Sequence, residues 1–485
     1  MKLKKILGWS SALCLSATIV QAQEANQIEQ LKKQLQQVQE NFEKVQREQR
    51  EQIEALTKQL NDVIQQQKAA ADQKKLEQQL AVGLATNQLP ATASAAGITP
   101  APWSPAQPIA VARGASSYLN LSFDGLFAVG SSTAQDVEAL EFGGHDPKQR
   151  GFTVQNLEMT LDGKVDPYFK GQANIVLQVN PDGETTTEVE EAYLETLSLP
   201  WNLQVKAGQY FTQFGRINPQ HPHTWDFVDQ PLVIGRFLGP DGLRNPGAQI
   251  SWLAPTPFYS ELFMSVQNSQ GETASSFRDV KSAGLITRRP GVSTEVQNLG
   301  DMLYAPRYVM SFNLGDEHTV VLGASGAFGP NASGQDGETQ IYGADLFYKW
   351  KSRNHNKGFP FVTWQTEWLY SHYRAVSFPG DTNNPPSPAV TFNNWGIYSQ
   401  VSYGFHPGWV GSLRGDYVTG QSGDFWVDPV LNDRYRISPA LTFYPSEFSK
   451  IRLQYNYDHI RNTGSENSVW LQFEFLLGAH SAHKF

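Results

Sequence analysis

The 485-residue sequence has one cysteine, Cys14, and no long hydrophobic run beyond its N-terminus. A single cysteine excludes an internal disulfide and a cysteine-rich metal site. No later stretch reaches the roughly 18 apolar residues that a membrane-spanning helix needs. Basic residues are fewer than acidic ones, 38 against 47, and the net charge of -9 argues against a nucleic-acid partner.

The first 22 residues have the pattern of a secretory signal peptide. Lysines open the chain, an apolar run covers residues 6–20, and Ala22 ends a plausible cleavage site. Cys14 would be removed with this segment. In the alternative, Cys14 is the acylated cysteine of a lipoprotein, but Leu13 is large where a small residue is needed.

Residues 23–84 are rich in Gln, Glu and Lys, with apolar residues spaced alternately three and four apart. This heptad spacing predicts a periplasmic α-helical coiled coil, interrupted once by a four-residue stutter. A solitary helix is the alternative. Residues 85–115 are rich in Pro and Ala and are expected to form an extended linker.

From Tyr118 onward, short segments alternate apolar and polar residues. In one of the last, Val469, Leu471 and Phe473 alternate with Gln472 and Glu474. A period of two places the two sets on opposite faces of a strand. The predicted strands are 118–130, 152–163, 168–180, 188–199, 202–213, 247–254, 258–268, 307–314, 318–328, 340–350, 361–371, 394–405, 408–419, 433–444, 450–460 and 467–477.

The connections between these segments are alternately short and long. Short turns at one end and long loops at the other are typical of a barrel in an outer membrane, whereas a soluble sandwich has no reason to keep this rule. Residues 116–485 are therefore predicted to form an all-β transmembrane barrel of about 16 antiparallel strands, preceded by the N-terminal coiled coil.

Three stretches resemble the family of phosphate-selective porins O and P: residues 151–168, Val189-Glu-Glu-Ala-Tyr-Leu194 and Lys206-Ala-Gly-Gln-Tyr-Phe-Thr-Gln-Phe-Gly215. The resemblance covers the barrel, about three quarters of the chain. It implies an outer-membrane porin that assembles as a homotrimer. It also implies passive diffusion of small hydrophilic solutes, without a cofactor or a catalytic cycle.

The polar face of the strands is expected to line the lumen, since the apolar face must meet lipid. The pore-lining candidates are Arg414, Arg434, Arg436, Arg452, Lys206, Arg307, Glu367 and Asp416. The first four are predicted either to form a positive stripe that passes an anion from site to site, or to brace the wall by pairing with Asp416, Asp458 and Glu474. Acidic residues are at least as numerous, so no uniform anion funnel is predicted.

The long connection 214–246 is the candidate constriction, by resemblance to the inward loop of general porins. Its charged candidates are Arg216, Asp226, Asp229, Arg236, Asp241 and Arg244. The alternative is an exposed loop that caps the barrel. His221-Pro-His223 with Asp226 is a weak signal for a metal ion, and no metal site is predicted.

The sequence therefore predicts a porin, not an enzyme, with outer-membrane lipid and a small hydrophilic solute as its partners. An anion such as phosphate is expected before a sugar. A sugar-permeable porin is one alternative, because Tyr193 and Tyr210 could stack on sugar faces. A structural envelope tether or adhesin anchor with a closed barrel is the other.

Overall fold

The computed structural model describes residues 109–114, 117–281, 290–292, 295–420 and 432–478. The predicted signal peptide (1–22), coiled coil (23–84) and most of the linker (85–115) lie outside these residues. Within the described part of the chain, no helix is long and apolar enough to cross a membrane.

The described residues form one antiparallel sheet of seventeen strands, and the last sixteen overlap the sixteen predicted segments one by one. The strands are β1 (Ile109–Arg113), β2 (Tyr118–Ser132), β3 (Gly151–Lys164), β4 (Phe169–Val179), β5 (Thr185–Thr196), β6 (Leu203–Phe211), β7 (Arg244–Leu253), β8 (Tyr259–Asn268), β9 (Met302–Leu314), β10 (His318–Pro330), β11 (Glu338–Asn356), β12 (Phe359–Ala375), β13 (Val390–His406), β14 (Trp409–Val418), β15 (Arg434–Ser446), β16 (Ser449–Ile460) and β17 (Gly464–Leu477).

Strands β2 to β17 close into a barrel. Each pairs with the next along the chain, and β17 returns to β2, with Trp470 opposite Gly130. The predicted 16-stranded antiparallel barrel is therefore confirmed. β1 lies outside this closed set and pairs with β2 at Tyr118–Leu121, beyond the point where β17 ends opposite Phe123. The linker predicted for residues 85–115 thus differs from the structure at its end, where Ile109–Arg113 form a strand.

The two faces of the barrel wall are chemically inverted relative to a soluble protein. On β16, Leu453 is 50 % exposed on the outer face, while Arg452 and Gln454 on the inner face are 1 % and 0 % exposed. β17 repeats the pattern, with Phe473 outside and Gln472 inside. An apolar outer band around a polar interior is typical of a barrel that spans a lipid membrane.

Two short helices lie in long loops at one end of the barrel: α1 (Val137–Leu140) between β2 and β3, and α2 (Leu232–Phe237) between β6 and β7. The carboxylate of Asp136 caps α1 by accepting the Ala139 amide. α2 begins directly after Pro231, whose fixed φ suits a helix start, and packs on β12, β13 and β14. Both loops carry buried side chains, which places them against the inner wall.

Candidate functional site

The connection between β6 and β7, residues 212–243, crosses the interior of the barrel. It contacts Glu367 on β12 and then Glu158 on β3. These strands are seven positions apart in a ring of sixteen, so they lie on nearly opposite sides. We call this segment the crossing loop. The crossing loop is bound to the barrel wall at three sites.

The first anchor is Glu367. Its side chain accepts the backbone amides of Arg216 and Ile217 at 3.0 and 2.8 Å, and the Tyr398 hydroxyl also donates to it. Gly215 makes this approach feasible. Its φ is 58°, and a Cβ atom there would lie 1.9 Å from a Glu367 carboxylate oxygen.

The second anchor is the arginine wall, which we define as Arg414, Arg434, Arg436 and Arg452 on β14–β16. All four are at most 1 % exposed. Arg414 binds Asp416 at 2.7 Å on its own strand, and Arg434 binds Asp458 at 2.7 Å on the neighbouring strand. The guanidiniums are therefore partly neutralised by the wall itself, as the bracing alternative describes.

Asp229 of the crossing loop supplies the remaining charge. Its carboxylate lies 2.9 Å from Arg414 Nη2, pairs also with Arg436, and accepts a hydrogen bond from Gln454. Burial raises the pKa of Asp229, but Arg414 and Arg436 more than offset this and hold the pKa below its usual value. Asp229 is 0 % exposed. Within the arginine wall, Arg414 and Arg436 thus form a socket for the Asp229 carboxylate.

A second inward segment, residues 133–150, completes this socket. Glu141 lies 2.7 Å from Arg436 Nη1, and the Leu140 carbonyl accepts from Arg434 Nη1 at 2.8 Å. Sequence analysis predicted a long connection here but not that it turns into the barrel, because a glutamate that follows a short helix has no periodic signal to mark it as buried.

The third anchor is a cluster of carboxylates and histidines, which we call the acidic wall: Asp124, Glu158, Glu190 and Glu191 on β2, β3 and β5, with His221 and His223 of the crossing loop. His221 Nδ1 lies 2.7 Å from Glu190 and 3.4 Å from Glu158, and Nε2 lies 3.1 Å from Glu191. Burial lowers the pKa of His221, but Glu158 and Glu190 outweigh it and raise the pKa well above its usual value.

A β-bulge explains why Glu190 belongs to this cluster. The β4–β5 register shifts between Asn174 and Ile175, which pair with Glu191 and Val189, so Glu190 is the extra residue. Glu190 and Glu191 are consequently both buried. Strict alternation predicts only Glu191 inside, and bulges of this kind re-aim a side chain. The Glu190-Glu191 pair is the one sequence signal for it.

The other predicted lumen residues contact neighbouring side chains of the inner wall or the crossing loop. Arg307 binds Asp345 at 2.7 Å, and the Arg452 side chain reaches Gln472 and the Trp225 carbonyl. Lys206 lies 4.1 Å from the centre of the Tyr193 ring. Asp416, besides binding Arg414, accepts the Leu232 amide at 3.1 Å.

The remaining candidates of the crossing loop are dispersed. Asp226 accepts from Ser402 at 3.0 Å on β13, far from the histidines with which it was considered. Arg236 lies over the Phe142 ring at 5.0 Å, and Asp241 lies beside Gly144. Arg244 was predicted in the loop, but it is the first residue of β7. The strand starts there because its backbone pairs with Phe211 of β6, so the loop ends three residues earlier than predicted.

One group of cations inside the barrel has no carboxylate within 4.0 Å of any member among the described residues: Arg216, Lys349 and Lys351. Arg216 stacks at 3.7 Å on Phe347, which shares the inner face of β11 with both lysines. All three are half-buried. Lys349 has Lys351 and Arg216 as its like-charged neighbours. In this basic patch, no ion pair among the described residues neutralises the positive charge.

Most of this chain is similar in sequence to a known protein. An uncharacterized protein of Aquifex aeolicus (strain VF5) is 32% identical over 374 residues, which cover 71% of this chain and 73% of that protein. The chain belongs to the same family. No family model matches it.

Solved structures give looser likenesses. The anion-selective porin from Comamonas acidovorans has a TM-score of 0.46 and 9% identity, covering 74% of this chain and 100% of that one. The outer membrane channel DcaP of Acinetobacter baumannii has a TM-score of 0.45 and 14% identity, covering 75% and 99%. Both TM-scores lie below 0.5, so the fold assignment rests on the chain's own strand pairing and on the two faces of the barrel wall.

Proposed function

We propose that this protein is an outer-membrane channel through which small hydrophilic solutes diffuse passively, with the crossing loop as its constriction. The observation that carries the proposal is a closed barrel, apolar outside and polar inside, whose interior is spanned from β12 to β3 by one charged loop. A loop in that position sets the width and the charge that a solute meets.

An anion is the favoured solute class in this proposal. The basic patch of Arg216, Lys349 and Lys351 supports this preference, because its guanidinium and ammonium groups lie together without a bound carboxylate among the described residues. The arginine wall does not support it. Arg414, Arg434 and Arg436 are paired with carboxylates, and the Arg452 guanidinium donates to Gln472 and to the Trp225 carbonyl. Phosphate, suggested by the resemblance to phosphate-selective porins, is the first anion to test.

The test is single-channel recording in planar bilayers with a salt gradient. We expect discrete conductance steps and a reversal potential shifted toward the anion. The double variant Lys349→Gln/Lys351→Gln should move the reversal potential toward cation preference. Lys281→Gln is the matched control, since its ammonium pairs with Glu272 in an exposed loop, and it should leave the potential unchanged. An unchanged potential in the double variant would refute the basic patch as the selectivity element.

A closed envelope anchor is the second candidate, and one observation favours it. The crossing loop brings an apolar cluster into the barrel, in which Phe214, Leu232, Val233 and Ile234 are each 0 % exposed. Such a cluster excludes water where it packs. If purified protein with a correctly folded barrel gave no conductance at all, the channel proposal would fail and the anchor would replace it.

Assembly as a homotrimer and the absence of a catalytic cycle are parts of the same proposal. The trimer is supported by the heptads predicted at residues 23–84, which can hold three chains together. Sedimentation in detergent of the mature chain and of a chain that starts after residue 84 would show whether these heptads determine the oligomeric state.

A further inference from the structure

We propose that Glu158, Glu190 and His221 bind a divalent transition-metal ion of the zinc type, which fastens the crossing loop to the barrel wall. The three ligand atoms lie within 4.8 Å of one another, and all three residues are buried. They come from β3, β5 and the crossing loop. The inference does not depend on what the channel transports.

The spacing of the ligand atoms fits a metal ion. His221 Nδ1 lies 3.4 Å from Glu158 Oε1 and 2.7 Å from Glu190 Oε2. A metal about 2.1 Å from each ligand separates neighbouring ligand atoms by about 3.4 Å in a tetrahedron and by about 3.0 Å in an octahedron. One pair already has this separation, and the other needs to open by less than about 1 Å.

The tautomer of His221 is set by its other nitrogen. A carboxylate only accepts hydrogen bonds, so Nε2 donates its hydrogen to Glu191 at 3.1 Å. Nδ1 then faces Glu158 and Glu190, two further acceptors. Either a second proton or a cation must lie between them. A carboxylate behind a histidine that faces a metal is the usual arrangement in protein metal sites.

Two buried carboxylates of the cluster have oxygens that no hydrogen bond within the described residues satisfies. Both oxygens of Asp124 are buried without a hydrogen-bond partner in the described residues, and Oδ2 lies 3.7 Å from His223 Nδ1. Neither oxygen of Glu190 has a contact of hydrogen-bond geometry among those residues, although His145 and His221 lie nearby. Ionised groups this deeply buried need a counter-charge. A divalent cation supplies it to the whole cluster.

The neighbours of Glu158 are arranged as an outer shell. Thr160 Oγ1 donates to Glu158 Oε1 at 3.1 Å, Asn174 Nδ2 donates to the same oxygen, and His223 Nδ1 lies 3.4 Å from Oε2. Partners of this kind orient a ligand and usually change metal affinity by about 10–100-fold when removed. His223 is therefore a positioning residue in this proposal.

The experiment uses the full mature chain in detergent, stripped with EDTA and titrated with Zn²⁺ by calorimetry, with Co²⁺ absorption as a second readout of the coordination. We expect one ion per chain. Glu190→Gln, which keeps the size of the side chain, should weaken binding by more than about tenfold, and Glu191→Gln by about 10–100-fold. Glu338→Gln and His372→Asn, both far from the cluster, should leave the affinity unchanged.

Two outcomes would overturn the assignment: no stoichiometric binding by folded wild-type chain, or binding that Glu190→Gln leaves intact. The first would identify the cluster as a protonated histidine held by ion pairs. The second would place the metal elsewhere. Because calorimetry and absorption report on binding alone, a channel without conductance would not affect this result.

Discussion

The arginine wall and the acidic wall hold the same loop with opposite charges. At the arginine wall, the barrel presents guanidiniums and the loop brings one carboxylate, Asp229. At the acidic wall, the barrel presents carboxylates and the loop brings imidazoles, His221 and His223. Arginine keeps its charge at any physiological pH, whereas histidine can lose a proton or bind a metal. The contact at the arginine wall is therefore permanent, whereas the contact at the acidic wall can change with pH or with metal binding.

The largest effect on stability is expected from removing the contact between Asp229 and the arginine wall. Asp229→Ala leaves Arg414 and Arg436 buried with less compensation, which costs about 3–5 kcal/mol when one partner of a buried pair is lost. The free energy of unfolding should fall by that amount in urea titrations of the detergent-solubilised barrel, and the loop should become sensitive to protease.

The control for this change is Asp381→Ala. The Asp381 carboxylate lies in an exposed loop and accepts hydrogen bonds only from Asn383 and Asn384 in the described structure. Its loss should leave both the free energy of unfolding and the protease sensitivity of the crossing loop near wild type. Equal losses in the two variants would show that Asp229 does not anchor the loop.

A smaller effect on stability is expected from weakening the contact between the acidic wall and the histidines of the crossing loop. Glu190→Gln, measured in EDTA, should lower the free energy of unfolding by roughly 1–3 kcal/mol, the range for a buried polar group left without a partner. The loss is smaller because His221 can release a proton, so no buried charge is left uncompensated. A loss as large as that of Asp229→Ala would abolish the distinction between the two walls.

Acid should weaken the arginine contact through Asp229. The pKa of Asp229 is lowered in the folded chain, so its contribution to stability is complete above its ordinary pKa of 3.8 and is lost as the pH falls below that value. The difference in unfolding free energy between wild type and Asp229→Ala should therefore be constant from about pH 5 upward and shrink below pH 4. A constant difference down to pH 2 would contradict the lowered pKa.

The strands could be predicted well because their signal is local. On β16, Ile451, Leu453 and Tyr455 face outward and Arg452, Gln454 and Asn456 face inward. The predicted range 450–460 agrees with Ser449–Ile460 to one residue. A period of two is set by the geometry of an extended chain, so neighbouring residues reveal it without knowledge of the fold.

The site could be predicted only in part. The inner-face residues Arg414, Arg436 and Glu367 follow from alternation, and Asp229 was named as a loop candidate. Their partnership was not predictable, because Asp229 and Arg414 are 185 residues apart in the chain. The burial of Glu190 was not predicted, because a bulge interrupts the alternation on β5. The burial of Glu141 was not predicted either, because no periodic pattern covers its loop.

The amino-acid sequence by itself determined the barrel: the number of strands in the closed ring, the face that most strand residues take, and the long connections that could enter the interior. These follow from side-chain alternation and turn residues, which act over a few positions. Only the tertiary structure decided that residues 212–243 cross the interior, that the arginines are already occupied, and that two histidines meet buried carboxylates. Those contacts depend on strand order around a closed ring, because closure brings together residues that no local pattern relates.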